Sequence, residues 1–418
     1  MQQSDLGRYS IGIGDRFGRE ASAQLRALEL AKENGTPITP VWNKSYREHS
    51  IIGTKPADTR RAVDAAVRDR RWNGPYFMDA DHINLKTVDL FVAYADFFTI
   101  DVADYIGGKA EAADEQAFHA AARKLPGRIN VPGLHAPIEV NDATLGEIAR
   151  KYLLPVKEAG KIYRHICEQK GESPFVTEIS IDEALAPQTP AELLFILFAI
   201  AQEGIPVRTI APKFSGEFLK GIDYVGPVDK FAEEFEQDLH VIAYAVKEFG
   251  LPASLKISVH SGSDKFSLYP IIGRLIRTHN AGLHLKTAGT TWLEEVLGLA
   301  LSGAEGLRIA QSIYRQAFER IDELSKPYET VIRIDRKELP SPQTVNGWTG
   351  DHFASALRHD TSNPSYNLHL RQLVHIAFRI AAEMGDKYHQ ALIRNRTVVA
   401  GAVTENLWKR HIKPLFMS

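Results

Sequence analysis

Short runs of apolar, β-branched and aromatic residues alternate along the chain with longer stretches whose apolar residues recur at helical spacing. One such stretch carries Leu193, Leu194 and Leu197 and stops before Gly204. This alternation is typical of βα units and predicts a parallel sheet. The predicted strands are residues 9–14, 36–42, 75–80, 97–101, 175–182, 207–214, 255–260 and 282–286. Eight parallel strands can close a barrel, so the predicted fold is α/β, a (β/α)8 TIM-like barrel.

The predicted strands leave two long segments outside the barrel pattern. Residues 107–173, between strands four and five, contain several prolines and two predicted helices, and we interpret them as an insertion over one rim. Residues 304–418 have a mostly helical pattern with a polar break at 339–349. The predicted organisation is a barrel domain over 1–303 and a helical C-terminal extension over 304–418 that packs on the barrel or forms a subunit contact.

A doubly wound open sheet is the main alternative architecture, because alternating βα units do not by themselves distinguish an open sheet from a closed one. Such sheets carry a G-x-G-x-x-G turn that binds a dinucleotide phosphate. The turn after the first predicted strand reads G-I-G-D-R-F-G over residues 12–18, which has one residue too many before its last glycine. The closed barrel is therefore favoured.

Nearly every predicted strand ends in polar or ionisable residues, and the C-terminal ends of the strands build the active site in (β/α)8 barrels. Because residues two apart share a face of a strand, Glu178, Ser180 and Asp182 are expected to face the interior, as are His284 and Lys286. Unpaired burial of these groups would be costly, so we expect them to pair with one another, an ion or a substrate. Further strand-end candidates are Asp15, Arg16, Asp79, Asp81, His82, Asp101, Lys213 and His260.

Three strand-end histidines are candidate metal ligands. His82, His260 and His284 follow or end strands three, seven and eight, and can converge near the mouth of a closed barrel. Imidazoles beside carboxylates suit zinc, manganese, iron, cobalt or nickel better than calcium. The alternative is three unrelated histidines, each hydrogen-bonded in a polar core.

Two carboxylates are candidates for acid/base work. Asp81 precedes His82, and Glu217 follows the sixth predicted strand beside Gly216. One carboxylate on each side of a bound carbon can move protons on opposite faces. The alternatives are a ligand-orienting or helix-capping role for Asp81 and a solvated loop position for Glu217.

The loops after strands seven and eight are rich in hydroxyl groups and ammonium charge, which predicts a pocket for a carboxylate or another oxyanion, phosphate included. Thr290 and Thr291 offer a simpler interpretation, since either can cap the following helix. The predicted substrate-binding residues are Asp15, Arg16, Glu178, Lys213, Ser261, Ser263, Lys265, Lys286, Thr287 and Gly289.

Composition narrows the function classes. The chain of 418 residues is 44% hydrophobic and 24% charged, with a formal net charge of −2, which is typical of a globular protein and argues against a nucleic-acid-binding surface. Cys167 is the only cysteine, so no intramolecular disulfide can form. The first residues show no signal peptide and no run approaches about 18 apolar residues. We expect a cytoplasmic protein with a small-molecule substrate and no membrane partner, and a homo-oligomer is compatible with the C-terminal segment.

The strand-end motifs resemble those of the tagaturonate epimerase family, in the same order across most of the chain. The matching stretches are 12–18, 79–82, 98–101, 180–183, 216–217, 220–224, 258–266, 284–290 and 370–375, and those around His260 and Lys286 are the most specific. The chain departs from the family pattern in starting just before the first strand, without the family's extra N-terminal region, and in having Tyr105 where a histidine follows aspartate.

The resemblance implies an isomerase that interconverts tagaturonate and fructuronate at C4 with a divalent metal. It also implies His82, His260 and His284 as metal ligands, and Asp81 and Glu217 as acid/base residues. The C4 hydrogen is β to the ketone and is not acidified by simple enolisation, which favours a retro-aldol/aldol route with the metal as Lewis acid and template. The alternative functions are another metal-dependent sugar or sugar-acid isomerase or aldolase, and a non-catalytic sugar-acid binding protein.

Overall fold

The computed structural model describes residues 5–287 and 289–417, and its centre is a closed parallel barrel. The eight barrel strands, numbered in chain order, pair as β1-β8-β7-β6-β5-β4-β3-β2. Each overlaps one predicted run, so the predicted (β/α)8 barrel is confirmed. Their bounds are Tyr9–Ile13 (β1), Thr39–Ser45 (β2), Phe77–Ile83 (β3), Phe97–Asp101 (β4), Val176–Ser180 (β5), Thr209–Ala211 (β6), Lys256–His260 (β7) and Leu283–Lys286 (β8).

Helices on the outside of the barrel connect most of the strands. They begin where the sequence supplies start signals. Thr189, for example, accepts a hydrogen bond from the Glu192 amide, and the Thr189 amide donates to the Glu192 carboxylate, which forms a capping box. The helices that follow β1, β2, β5, β6, β7 and β8 are Ala21–Glu33, Tyr46–Ile52 with Pro56–Asp69, Pro190–Gln202, Val228–Phe249, Tyr269–Thr278 and Thr290–Leu301.

Two connections depart from the simple repeat. The link from β3 to β4 holds a single 3₁₀ turn, Val88–Leu90, where other units have a helix. The segment predicted as an insertion contains helices Ala112–Ala122, Asp142–Ile148 and Leu154–Lys170, a π-helical turn at Ala149–Leu153, and a small antiparallel hairpin. Its last helix packs on β4 and therefore serves as the fourth barrel helix. Cys167 lies in this helix.

The C-terminal region wraps around the last barrel helix, Thr290–Leu301. Trp292 is buried in a hydrophobic cluster with residues of the extension, and its indole N–H donates to the Val374 carbonyl at 2.8 Å. The helical segments of the extension are Ala304–Glu319, Ile321–Ser325, Pro342–Asn346, Gly350–Leu357, Leu368–Ile376, Phe378–Glu383, Asp386–Arg394, Arg396–Glu405, Asn406–Ile412 and Lys413–Phe416. No helix in residues 5–287 and 289–417 is long and apolar enough to span a membrane. The division at residue 303 stays a prediction.

One buried carboxylate fixes the extension to the barrel mouth. Asp264, in the loop after β7, is fully buried and accepts from Arg371 Nη2 at 2.6 Å and His359 Nδ1 at 3.1 Å. It also lies 3.2 Å from His411 Nε2. Burial opposes the charge of Asp264, but Arg371 and the histidines outweigh it and hold the pKa well below its usual range. Three separate parts of the extension thus meet at one barrel residue.

A second carboxyl group, that of Glu294, is buried at the same interface and favours its protonated form. Glu294 is 3% exposed, and its Oε1 accepts from the Asn406 amide at 2.9 Å. Burial raises the pKa of Glu294 from 4.5 to about 7, so between these values the folded chain keeps a proton that the unfolded chain releases. The stability contribution of Glu294 is therefore complete below pH 4.5 and falls as the pH rises towards 7.

We predict that Glu294→Gln removes this pH dependence. Since one pKa unit corresponds to roughly 1.4 kcal/mol, the unfolding free energy of Glu294→Gln relative to the unsubstituted protein should rise by about 3 kcal/mol between pH 4.5 and pH 8. Chemical denaturation at several pH values measures this difference. The exposed Glu305→Gln is the matched control, and an equal pH profile for Glu294→Gln and the unsubstituted protein would contradict the assignment.

Candidate active site

A buried ammonium group occupies the centre of the polar network at the C-terminal ends of the strands. Lys286 Nζ, on β8, lies 2.7 Å from Asp79 Oδ2, 2.9 Å from Asp81 Oδ1 and 3.0 Å from Glu178 Oε1. It also donates to the Thr99 hydroxyl. Strands β3, β5 and β8 supply these charges because the closed barrel brings inward-facing positions from non-adjacent strands to one point.

The network is almost completely hydrogen-bonded. Thr99 Oγ1 lies 3.0 Å from both oxygens of Asp79 and 3.2 Å from Glu178 Oε1, and Thr209 Oγ1 donates to Glu178 Oε2 at 2.7 Å. Burial raises the pKa of Asp79 to about 7 despite the adjacent ammonium of Lys286. Lys286 outweighs burial at Asp81 and lowers the pKa of that carboxyl to about 2.

Two histidines and a carboxylate meet beside this network. The rings of His82 and His260 have centroids 5.3 Å apart, and His260 Nδ1 lies 3.1 Å from Asp182 Oδ2. His82, Asp182 and His260 each offer one ligand atom, and these three atoms lie within 4.8 Å of one another. This trio, which we call the His82 cluster, is a candidate site for a metal ion.

Each histidine of the His82 cluster is oriented by a carboxylate on the side away from the other ligands. His82 Nδ1 lies 2.9 Å from Asp101 Oδ2, and His260 Nε2 lies 2.8 Å from Glu178 Oε1. Carboxylates that hold the second ring nitrogen are typical of metal-binding histidines. His260 Nδ1 is buried and faces Asp182 Oδ2 at 3.1 Å, so a cation that displaces its proton would lie between these two ligand atoms.

Surrounding carboxylates make the His82 cluster attractive to positive charge. Burial favours the neutral form of both imidazoles, but Asp81 and Asp101 raise the pKa of His82 to about 10. Asp182 and Glu178 likewise raise the pKa of His260 to about 9. The same field that binds protons here can bind a divalent cation in their place.

The backbone at His82 is strained to position the ring. His82 has φ = +51°, a left-handed conformation that side chains rarely adopt, and the pairing of β3 with β4 shifts register between Ala80 and Ile83. This irregularity turns a side chain at the end of β3 towards the mouth. Strain of this kind persists only where surrounding contacts hold it, and the bond to Asp101 is one of them.

Comparison with known proteins settles the family. The sequence model of the tagaturonate epimerase family matches residues 2–413, nearly the whole chain. This chain belongs to the tagaturonate epimerase family. The family is one of isomerases acting on hexuronates, so the predicted enzyme class and the resemblance are both confirmed.

Related proteins support this family assignment over most of the chain. The tagaturonate/fructuronate epimerase of Thermotoga maritima is 28% identical over 424 residues, covering 97% of this chain and 80% of its own. A glycerol-complexed crystal structure of the fructuronate-tagaturonate epimerase from Cohnella laeviribosi has a TM-score of 0.78 at 24% identity, covering 98% of this chain and 81% of its own. The native structure of that enzyme gives a TM-score of 0.76. The structural matches show the same fold.

Not every predicted metal ligand of this family member joins the His82 cluster. His284 lies on β8 two residues before Lys286, and its Nδ1 is 2.9 Å from Ser10 Oγ. It packs against the Phe97 ring, and burial lowers its pKa to about 3. No metal-ligand group among the described residues includes His284. The structure thus places His284 in the polar core beside Ser10, and the third member of the His82 cluster is Asp182.

Glu217 is also placed apart from Asp81. Its carboxylate is 43% exposed and forms an ion pair with Arg333 of the extension at 2.6 Å, while its backbone pairs with Val225. This matches the alternative of a solvated loop carboxylate. Asp81 is no helix cap, because its carboxylate is held by Lys286 inside the barrel.

Most of the predicted substrate-binding residues in the loops have structural partners instead. Asp15 accepts from the amides of Arg19, Glu20 and Ala21 and so fixes the start of the first helix. Lys265 donates to the Leu219 and Ile222 carbonyls, and burial lowers its pKa to about 7. Ser261 donates to the Lys286 carbonyl, and Ser263 accepts from the Gly221 amide. The Thr287 hydroxyl bonds to that of Thr290, and the Gly289 amide donates to the Gly262 carbonyl.

Three predicted substrate-binding residues lie at or near the mouth. Glu178 and Lys286 belong to the central network. Arg16 lies beside Glu48, a residue that the sequence pattern does not single out. Lys213 is half-buried, and its amide donates to Gln188.

Tyr105, the departure from the family pattern, faces Glu158 and Lys161 on the helix Leu154–Lys170, where burial raises its pKa.

We predict that Lys286→Met destabilises the protein in a pH-dependent way. Removing one partner of a buried ionic network leaves unpaired carboxylates and costs about 3–5 kcal/mol at neutral pH. Without the ammonium, burial should raise the pKa of these carboxyls in the folded chain, so the loss should shrink as the pH falls towards 5. Denaturant titrations at pH 5 and pH 8 measure it.

The matched control for Lys286→Met is Lys230→Met, whose side chain is 60% exposed on a helix. It should change stability by less than about 0.5 kcal/mol at either pH. A Lys286→Met variant as stable as the unsubstituted protein at pH 8 would refute the central role of the ammonium.

Proposed function

We propose that this protein interconverts tagaturonate and fructuronate by inverting C4 of the ketohexuronate, with a divalent metal bound at the His82 cluster. Membership of the tagaturonate epimerase family supports the reaction and the substrate class. The single structural observation that carries the site is the convergence of His82, Asp182 and His260 beside the ammonium of Lys286. The proposed compartment is the cytoplasm.

The residues present fit a metal ion of the zinc, manganese, iron, cobalt or nickel type. Two imidazoles and one carboxylate form a donor set that such ions favour. The natural ligand atoms are the ring nitrogen of His82 that faces away from Asp101 and the Nδ1 of His260 that faces Asp182. A bound metal would act as a Lewis acid towards the ketone and hydroxyl oxygens of the substrate.

The proposed route breaks and reforms one carbon–carbon bond. Loss of the C4 hydroxyl proton forms the C4 carbonyl as the C3–C4 bond breaks, and the bonding electrons move into a C2–C3 enediolate. The aldehyde fragment then turns over, so that the enediolate attacks its other face. The C3–C4 bond reforms, the C4 oxygen recovers a proton, and only the configuration at C4 has changed.

Asp81 and Lys286 are the residues suited to handle proton and charge. The Asp81 carboxylate is ionised, its Oδ1 is held by Lys286, and it borders the His82 cluster, with His82 Nε2 at 3.9 Å. We assign it the proton of the C4 hydroxyl. The buried ammonium of Lys286 stabilises negative charge that develops on the substrate oxygens. The exposed Glu217 receives no proton-transfer role here.

Turnover in deuterium oxide tests the bond-breaking step. The C4 hydrogen stays on carbon throughout a retro-aldol route, so proton NMR of the fructuronate formed from tagaturonate should show no deuterium at C4. Deuterium at C4 would exclude this route and favour proton abstraction from carbon. Absence of any turnover of tagaturonate would refute the function itself.

Metal content tests the His82 cluster. We predict that His260→Gln and His82→Asn bind zinc or manganese at least 10-fold more weakly than the unsubstituted protein, and lose activity, because each removes one of three ligands. Asparagine is chosen at position 82 because it tolerates the left-handed backbone. The matched control is His284→Gln, which should keep the metal. Equal metal binding by all three variants would refute the site.

A further inference from the structure

Three basic side chains at the barrel mouth have unused hydrogen-bonding capacity. They are Arg16 after β1, Lys220 in the loop after β6, and His375 of the C-terminal extension. These side chains lie outside the network of Asp79, Asp81, Glu178 and Asp182. Arg16 and Lys220 give the group its positive charge. It plays no part in the C4 chemistry proposed above.

Arg16 is 8% exposed and only partly satisfied. Its Nε donates to Glu48 Oε1 at 2.8 Å, and its guanidinium plane stands over the Phe378 ring at 4.1 Å. Its Nη1 is buried and has no hydrogen-bond partner among residues 5–287 and 289–417. A buried guanidinium normally uses its full fork of donors, so its free edge can bind an acceptor that the described part of the chain does not supply.

Lys220 makes no side-chain hydrogen bond or ion pair within residues 5–287 and 289–417. A Cβ built on Gly262, in the loop after β7, would stand 3.1 Å from Lys220 Nζ, which places the ammonium over the strand ends. Burial, together with the nearby charges of Arg47 and Arg16, lowers the pKa of Lys220. Cations gathered in this way repel one another and are stabilised by an anion between them.

His375 completes the group from the extension. It is 2% exposed, and its Nδ1 has no hydrogen-bond partner among the residues that the structure describes. Its ring lies against Gly289, where an added Cβ would come within 2.2 Å of Cε1. Burial and the charges of Arg16 and Lys220 hold the pKa of His375 well below its usual range, so the ring is neutral. A neutral imidazole can donate one hydrogen bond to a bound oxygen.

Two carboxylates link the charges of this group to those around the His82 cluster. Glu48, the partner of Arg16, is close enough to Asp81 for their charges to interact. Glu183 similarly interacts with both Lys220 and His82. The mouth therefore has an anionic side that suits a metal and a cationic side that suits an acid group.

We propose that Arg16, Lys220 and His375 form the subsite for the carboxylate of the sugar acid, so that the C-terminal extension supplies part of substrate recognition. This inference rests on the proposed function for the identity of the substrate. The carboxylate would accept from the free edge of Arg16, from the Lys220 ammonium and from the His375 ring. The subsite fixes the acid end while the opposite end of the molecule reaches the His82 cluster.

Binding calorimetry of the metal-loaded full chain with tagaturonate and with tagatose tests the subsite. The two sugars differ only in carrying a carboxylate or a hydroxymethyl group at C6. Hydrogen bonds to charged groups suggest that Lys220→Met will weaken tagaturonate binding by about 10- to 100-fold and leave tagatose binding within about 2-fold. His375→Gln should act in the same direction. So should Arg16→Lys, which keeps the positive charge but loses the paired N–H donors of the guanidinium.

Matched controls are Lys230→Met and Arg19→Met, since both side chains are exposed and Arg19 lies in the same loop as Arg16. Neither should change the preference for tagaturonate over tagatose. An unchanged preference in Lys220→Met and His375→Gln would overturn the subsite. If the unsubstituted protein binds tagaturonate in this Lys220-dependent way without converting it, the subsite stands and the proposed function fails.

Discussion

The Lys286 ammonium holds three carboxylates from two other strands at the centre of the barrel mouth. Without it, Asp79, Asp81 and Glu178 would be buried anions within a few ångströms of one another, and most would have to bind protons to remain there. With it, Asp81 and Glu178 stay ionised, and Glu178 can orient His260. The orientation of the candidate metal ligand thus depends on an ion pair one strand away.

Charge is separated across the mouth, and the separation matches the chemistry proposed for a keto acid. Carboxylates surround the two histidines, whereas basic groups collect around Arg16 and Lys220. A metal ion and a substrate carboxylate would each neutralise one of these regions. A neutral sugar would satisfy only the first, which is a physical basis for selecting a sugar acid.

The sequence was sufficient for the barrel because each strand is a short apolar run whose polar end marks the mouth. Period-two alternation points inward for Glu178 and Lys286, whereas His82 turns towards the mouth only through the left-handed backbone and register shift at the end of β3, which alternation does not predict. Alternation shows which face of a strand a residue lies on, but not how deep in the barrel it lies. His284 was therefore predicted to join His82 and His260, which lie closer to the mouth. The same alternation points inward for Asp182, which is absent from the predicted metal ligands His82, His260 and His284.

Loop residues were harder to predict, since their partners lie far along the chain. Ser263 and Lys265 have the composition of an anion pocket, yet they bond to backbone groups of residues 219–222. Lys220 and His375 carried no local signal beyond their family motifs, because their meeting point forms only when the extension folds over the mouth. Side chains on connecting segments depend on tertiary contacts that periodicity does not describe.

Asp264 has a consequence for how the protein is made. Its partners His359 and Arg371 follow it by 95 and 107 residues, so during synthesis the barrel sequence leaves the ribosome well before the groups that neutralise this carboxylate. Until they arrive, closing the loop after β7 would bury an unpaired charge. The loop after β7 therefore gains the groups that neutralise its buried carboxylate only after the extension has been synthesised.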